Sequence, residues 1–214
     1  MSAPLIVETV TGRTMADLLA ARDAADVGDM VELRLDGVEG LDVRRALDGR
    51  RRPAVVTCRP RWEGGQYDGT EDTRREVLRR AIEAGAEYVD VEWKAGFDDV
   101  IALAPARVVV SSHDFSGVPP DLEARAAAMR GTGAAVIKIA ITARRLCDAL
   151  ALRPIAAAGP AVVIAMGDAG VTTRILASRF GSIWTYAGRA VAPGQIPGSR
   201  LVSEFRVRDI GSRT

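Results

Sequence analysis

Side chains able to do amine or imidazole chemistry are scarce in this chain. Among its 29 lysines and arginines only Lys94 and Lys138 are lysines, and His113 is its one histidine. Lys138 is flanked by Val136, Ile137, Ile139 and Ala140, a setting expected to strip solvent from an ammonium and lower its pKa toward the neutral amine. A neutral amine condenses with a ketone, and the iminium that forms is an electron sink for a carbanion at the adjacent carbon. His113 follows the run Val108-Val109-Val110, which puts it at a strand end, where an imidazole titrating near neutrality can take and return a proton. A plainer reading stays open at this point: a lysine whose stem packs while its tip pairs with Glu92 or Asp90, and a satisfied core histidine.

Other polar groups recur at comparable places. Val31-Glu32-Leu33-Arg34-Leu35-Asp36 alternates with a period of two, so Glu32, Arg34 and Asp36 share one face of a strand. A third strand runs into Thr57-Cys58-Arg59 and then a glycine-containing loop with Glu63, a fourth carries Asp90 and Glu92, and a fifth ends at Ser112-His113-Asp114. Cys58 falls between Thr57 and Arg59 and is expected to face the other way. A buried charge without a partner costs several kcal/mol, so polar groups repeated at one end of successive strands point to a cavity there.

The elements that must position them alternate along the whole chain. Strands are expected at Leu5–Val10, Met30–Leu35, Ala54–Cys58, Tyr88–Glu92, Val108–Ser112, Ala135–Ala140, Ala161–Met166 and Ile183–Tyr186. Between them apolar residues recur at helical spacing, as in Val77, Leu78, Ala81 and Ile82. Gly85, Gly133 and Gly159 stand where helices hand over to strands. Eight such alternations predict a single (β/α)8 barrel over residues 1–214, with its site at the C-terminal ends of the strands. No G-x-G-x-x-G follows the first strand, which argues against a dinucleotide fold.

The formal net charge of +1, with charged residues at 27%, suits a soluble globule and argues against nucleic acid or membrane as partner. The weakly polar run of residues 155–167 is too short to span a bilayer and no leader pattern is read, so a cytoplasmic protein is expected. Cys58 and Cys147 make neither a disulfide framework nor a metal cluster, and Cys147 is expected to be buried in a helix. The polar tail from Arg206 is expected to fray.

Taken in order, Glu32-Leu33-Arg34-Leu35-Asp36, Arg59 with Glu63-Gly64-Gly65, Ser112-His113-Asp114-Phe115, Lys138-Ile139-Ala140, Met166-Gly167 with Arg174, and Ala192-Pro193-Gly194-Gln195 resemble the motifs of class I, Schiff-base-forming 3-dehydroquinate dehydratases. The resemblance extends over nearly the whole chain. It implies a lyase of the shikimate pathway that converts 3-dehydroquinate to 3-dehydroshikimate, with no metal or organic cofactor and with a homodimer as a plausible assembly. It implies that Lys138 forms the imine, that His113 is general acid and base, and that Glu63 assists it. Arg174 would bind the substrate carboxylate, while Glu32, Arg34, Arg59 and Gln195 would hold the remaining polar groups. Two features depart from the pattern: the second and fourth helical segments are brief, and Val191 stands where a serine is common. The rival readings are a class I aldolase, which would want a glycine-rich phosphate cradle after the seventh and eighth strands, and a catalytically silent binding homologue.

Overall fold

Each of the eight apolar runs forms a strand in the computed structural model, which describes residues 3–188 and 192–210. The strands are β1 (Leu5–Val10), β2 (Met30–Arg34), β3 (Ala54–Thr57), β4 (Tyr88–Glu92), β5 (Val108–Asp114), β6 (Val136–Thr142), β7 (Ala161–Met166) and β8 (Trp184–Ala187). All paired strands are parallel, in the order β7-β6-β5-β4-β3-β2-β1-β8. The two ends of the sheet meet where the Ile183 amide donates to the Ala161 carbonyl at 3.0 Å, so the sheet curls into the expected barrel.

The helices are α1 (Met15–Ala24), α2 (Val43–Leu47), α3 (Glu71–Glu83), α4 (Asp98–Leu103), α5 (Leu122–Gly131), α6 (Arg153–Ala157), α7 (Val171–Ile175), α8 (Ala177–Phe180) and α9 (Gly198–Ser203). Thr14 and Asp17 form a reciprocal capping box on α1, and Thr70 caps α3, which satisfies amides that a helix start leaves unpaired. After α3 the chain turns through Gly85 at φ +87°, a conformation that a Cβ would strain. Leu78, Ala81 and Ile82 bury one face of α3, and each large apolar side chain buried this way contributes about 1.5–3 kcal/mol. None of the described helices is long and apolar enough to cross a membrane.

Parity along the strands separates two apolar layers. Val31, Leu33, Val56, Cys58, Val89, Val91, Ile137 and Ile139 point outward into the layer beneath the helices. Val7, Met30, Val55, Val109, Val136, Val162 and Trp184 point inward and fill the N-terminal end of the barrel. Cys58 therefore faces away from the interior, as its place in the alternation predicts.

Three expectations need correction. β5 runs two residues past its expected end at Ser112, pairing His113 with Ala140 and Asp114 with Ile141, which still leaves His113 next to last in the strand, at the strand end its position predicts. Cys147 is exposed, in a 3-10 stretch from Leu146 to Leu152 that turns Ala149 and Leu152 inward instead. The tail is anchored by Val207, which is fully buried in a cluster with Ile6, Ala187, Ile196 and Leu201, while residues 211–214 lie outside the described residues.

Candidate active site

Above the apolar floor of the barrel the inward positions turn polar, and they do so unevenly. β1 to β6 contribute Thr9, Glu32, Arg34, Thr57, Asp90, Glu92, Ser111, His113 and Lys138, while β6 and β7 contribute Ala140, Ile164 and Met166. The result is a cavity with one charged wall and one apolar wall. Glu32, Arg34, Arg59, His113, Lys138, Arg174 and Gln195 all line it, and Glu63 sits behind His113. The eight expected site residues thus converge on one place. A wider groove between α2 and α3, floored by Val38, Leu41 and Val77, holds neither the lysines nor the histidine.

Lys138 is 5% exposed. Its Nζ donates to Asp90 Oδ2 at 3.0 Å, lies 3.7 Å from Glu32 Oε1, and stands 4.2 Å from the centre of the Tyr186 ring. Burial works against its charge, as the local sequence suggests. Asp90, Tyr186 and Glu32 outweigh that penalty, so the ammonium is held above the range of a free lysine. The expectation of a depressed pKa is therefore overturned: the resting amine is a paired cation.

His113 takes the opposite course. Burial, with the cations Arg59 and Lys138 nearby, pushes its pKa well below the usual value, so the resting imidazole is neutral. Glu63, at the end of the 3-10 turn Arg61–Glu63, places Oε1 2.9 Å from His113 Nδ1 and accepts the His113 backbone amide at 3.0 Å. Burial raises the Glu63 carboxyl to about 7, Arg59 offsetting part of the shift and Glu92 and Asp90 adding to it.

Arg59 links these groups. It donates to Glu92 Oε1 and Ser111 Oγ at 2.7 Å each, pairs with Asp90 Oδ2 at 2.9 Å, and approaches Glu63 at 3.9 Å. Ser111 Oγ donates to Asp90 at 2.5 Å. Glu32 accepts hydroxyl bonds of 2.8 Å from both Thr9 and Thr57, and Arg34 is gripped by Asp36 through two bonds of 2.8 Å.

Arg174 reaches the cavity from α7 and donates to the carbonyls of Pro193 and Tyr186. Its Nε is buried with no hydrogen-bond partner among the described residues, and burial lowers its pKa to about 10. Close to Glu32 but gripped by no carboxylate among the described residues, it is well placed for an anionic ligand. Gln195 donates to Thr9 Oγ1 and the Ala187 carbonyl and accepts the Ala192 amide, which ties the loop after β8 to β1. Val191, where that loop departs from the family pattern, lies outside the described residues.

Sequence reasoning does not single out Tyr186, Ser111 or Thr9. Tyr186 has a usable signal, an inward position two residues after Trp184 on the last strand, but an aromatic there does not stand out from the apolar background.

The arrangement offers an amine, a neutral base backed by a carboxyl, and an arginine suited to an anion. A family model described as Type I 3-dehydroquinase matches residues 6–212. The chain is 35% identical over 204 residues to the 3-dehydroquinate dehydratase of Methanopyrus kandleri, covering 90% of this chain and 94% of that protein. It is also 35% identical over 203 residues to the chloroplastic bifunctional 3-dehydroquinate dehydratase/shikimate dehydrogenase of Arabidopsis thaliana, matching 87% of this chain but spanning about a third (34%) of that longer protein. Among solved structures it resembles the 3-dehydroquinate dehydratase of Geobacillus kaustophilus, at TM-score 0.85 and 27% identity over 98% of this chain and 93% of that one. It also resembles the type I enzyme of Clostridium difficile with covalently modified comenic acid, at TM-score 0.83 and 26% identity over 97% and 92% of the two chains.

Proposed function

The chain belongs to the type I 3-dehydroquinase family, enzymes of the shikimate pathway, and we propose that it dehydrates 3-dehydroquinate to 3-dehydroshikimate through an imine on Lys138. The observation that carries this reading is the placement of buried Lys138 and neutral His113, with Glu63 at 2.9 Å behind the imidazole, against one cavity.

Lys138 first has to lose a proton. Asp90 holds that proton rather than accepting it, since Arg59 and Lys138 keep its carboxyl well below the ordinary range against the effect of burial. The neutral imidazole is the group with capacity to take it. The free amine attacks the C3 carbonyl carbon, and the former carbonyl oxygen leaves as water with the proton that His113 returns, giving an iminium that withdraws electrons from C2 and leaving the imidazole neutral again. His113 removes the C2 proton to form the enamine, and the electron pair then expels the C1 hydroxyl, which departs as water with the proton from His113. Hydrolysis of the remaining iminium returns the amine and releases the enone.

Arg174 binds the carboxylate. The charged wall takes the hydroxyls through Glu32, Arg34, Arg59 and Gln195, while Ala140, Ile164 and Met166 cover the apolar edge of the ring. Turnover of a small molecule by a homodimer is part of the same proposal. The covalently modified comenic acid of the Clostridium difficile type I enzyme supports covalent chemistry in this family.

Enone absorbance developing from dehydroquinate, with borohydride fixing ligand mass on Lys138, is the expected result. Absorbance without trapping at Lys138, or trapping at Lys94, would overturn the imine assignment. An aldolase or a silent homologue would develop no enone.

A further inference from the structure

Arg74 takes no part in the chemistry above, yet it is one of the largest fully buried side chains of the protein. It sits in the first turns of α3, on the face that Leu78, Ala81 and Ile82 turn toward the barrel. Its guanidinium forms a very short ion pair with Glu92 Oε2, pairs with Glu71 at the start of α3, and donates weakly to the Cys58 carbonyl. The Phe97 ring lies 4.6 Å from the guanidinium carbon and the Trp62 ring 5.9 Å. Trp62 in turn donates to Glu71 at 3.1 Å, from the same 3-10 turn that carries Glu63.

Lys138, Asp90, Arg59, Glu92, Arg74 and Glu71 thus form one string of alternating charge, from the site to the edge of the barrel. Arg59 is its shared member, with one arm on Asp90 and the other on Glu92 Oε1. A guanidinium prefers to grip one carboxylate with both arms. What prevents Glu92 from taking both arms of Arg59 is that Arg74 already occupies its second oxygen.

We propose that Arg74 is a positioning residue for the reaction: by holding Glu92 Oε2 it keeps Arg59 divided between Glu92 and Asp90, and so keeps Asp90 aimed at Lys138. This rests on the dehydration proposed above.

Without Arg74, an ionised Glu92 is free to draw Arg59 off Asp90, whereas a protonated Glu92 has less hold on it. Burial already raises the Glu92 carboxyl, Asp90 adding to the shift and Arg59 and Arg74 opposing it; loss of Arg74 carries it further in the same direction. The groups facing Glu92 are Arg59 from the end of β3, Glu63 from the turn that follows it, Asp90 on its own strand, Arg74 from α3 and the Cys58 thiol. Loss of Arg74 also lets Glu71 move back toward the ordinary carboxyl range and pushes the Cys58 thiol further up, but of these three groups only Glu92 touches Arg59.

Wild-type turnover of dehydroquinate, measured first, decides the function. Comparison among variants, with active sites counted by borohydride trapping, then decides the role of Arg74. Arg74→Met is expected to show a loss of kcat/KM with rising pH that wild type lacks, roughly tenfold between the two ends of the profile. Arg74→Met with Glu92→Gln, which has no carboxylate at position 92 to release, is expected to lack that limb. It should also match Glu92→Gln alone within about threefold at every pH, because Arg74 acts through Glu92. This last comparison stands even if Arg74→Met does not accumulate. A pH profile of Arg74→Met parallel to wild type, or a double variant tenfold below Glu92→Gln, would overturn the proposal and leave Arg74 a structural brace.

Discussion

The Glu63 carboxyl is held at about 7 against 4.5 for a free glutamate, and this has a cost that Glu63→Gln should reveal. A carboxyl whose folded pKa lies above its unfolded one holds its proton more tightly when folded. Its favourable contribution is complete below pH 4.5 and is lost as pH rises through about 7. The distance between the two values corresponds to roughly 3 kcal/mol at about 1.4 kcal/mol per pH unit. The amide that Glu63→Gln introduces keeps an oxygen for the His113 amide and Nδ1 but has no charge to desolvate. Glu63→Gln should therefore unfold with wild-type stability near pH 5 and be more stable by about 2–3 kcal/mol at pH 8.5, measured by urea denaturation at several pH values. On the proposed mechanism activity should move the other way, since an amide orients the imidazole but would not stabilise its charged form as it takes the C2 proton. A kcat reduced by at least tenfold is expected. If the variant were no more stable than wild type at pH 8.5, the proton assigned to Glu63 would reside elsewhere in the pair, and the account of His113 as the neutral partner would fail.

Asp90→Asn removes the carboxylate 3.0 Å from the Lys138 ammonium. Borohydride trapping with the enone product should then begin at a pH lower by about one unit or more than in wild type; an unchanged midpoint would mean that Asp90 does not hold the proton. At Tyr186 the ring and the hydroxyl separate cleanly. The hydroxyl is buried with no partner in hydrogen-bonding geometry among the described residues, although Trp184 lies alongside, so Tyr186→Phe should keep kcat/KM within about threefold. Tyr186→Leu loses the ring face 4.2 Å from Nζ, and a buried cation–π contact of about 2 kcal/mol corresponds to a drop of roughly tenfold to thirtyfold in the trapped fraction at limiting product. Equal behaviour of the Phe and Leu variants would remove the ring from any role in holding the charged nitrogen.

The barrel is legible in the sequence because its signal is repeated: eight strand-forming runs, each followed by a helical period, leave few other topologies. The charged wall is legible for a related reason. Parity within β2, β4 and β5 assigns each polar residue to a face without reference to any other strand. What parity cannot supply is pairing across the barrel. Glu63 and His113 are 50 residues apart, and nothing local to either announces the other; only the ordered family motifs join them. Arg74 is harder still. In a chain whose basic residues are nearly all arginine, one more on an arginine-rich helix draws no notice, and its burial depends on Glu92 arriving from a neighbouring strand.

Lys138 shows where local reasoning reverses its sign. Its immediate neighbours are apolar, and burial alone lowers a lysine pKa by as much as about 3–5 units. That effect is present here, and it is the only one the local sequence contains. The opposing effect comes from Asp90, 48 residues away in sequence, and from Glu32 and Tyr186 on strands flanking β1, and two carboxylates with a ring face outweigh the burial. A lysine with apolar neighbours in sequence is thus an ambiguous signal until the groups across the barrel are known. The same pairing bears on mechanism. An amine kept as a paired cation is protected from stray carbonyl compounds, and becomes a nucleophile only when a proton acceptor is at hand. His113 is kept neutral by the burial and neighbouring cations that raise the cost of its charge. One buried set of charges therefore stores a proton on the Lys138 nitrogen and keeps the imidazole ready to receive it, so the proposed reaction can begin with a single transfer from Lys138 to His113 that draws no proton from solvent.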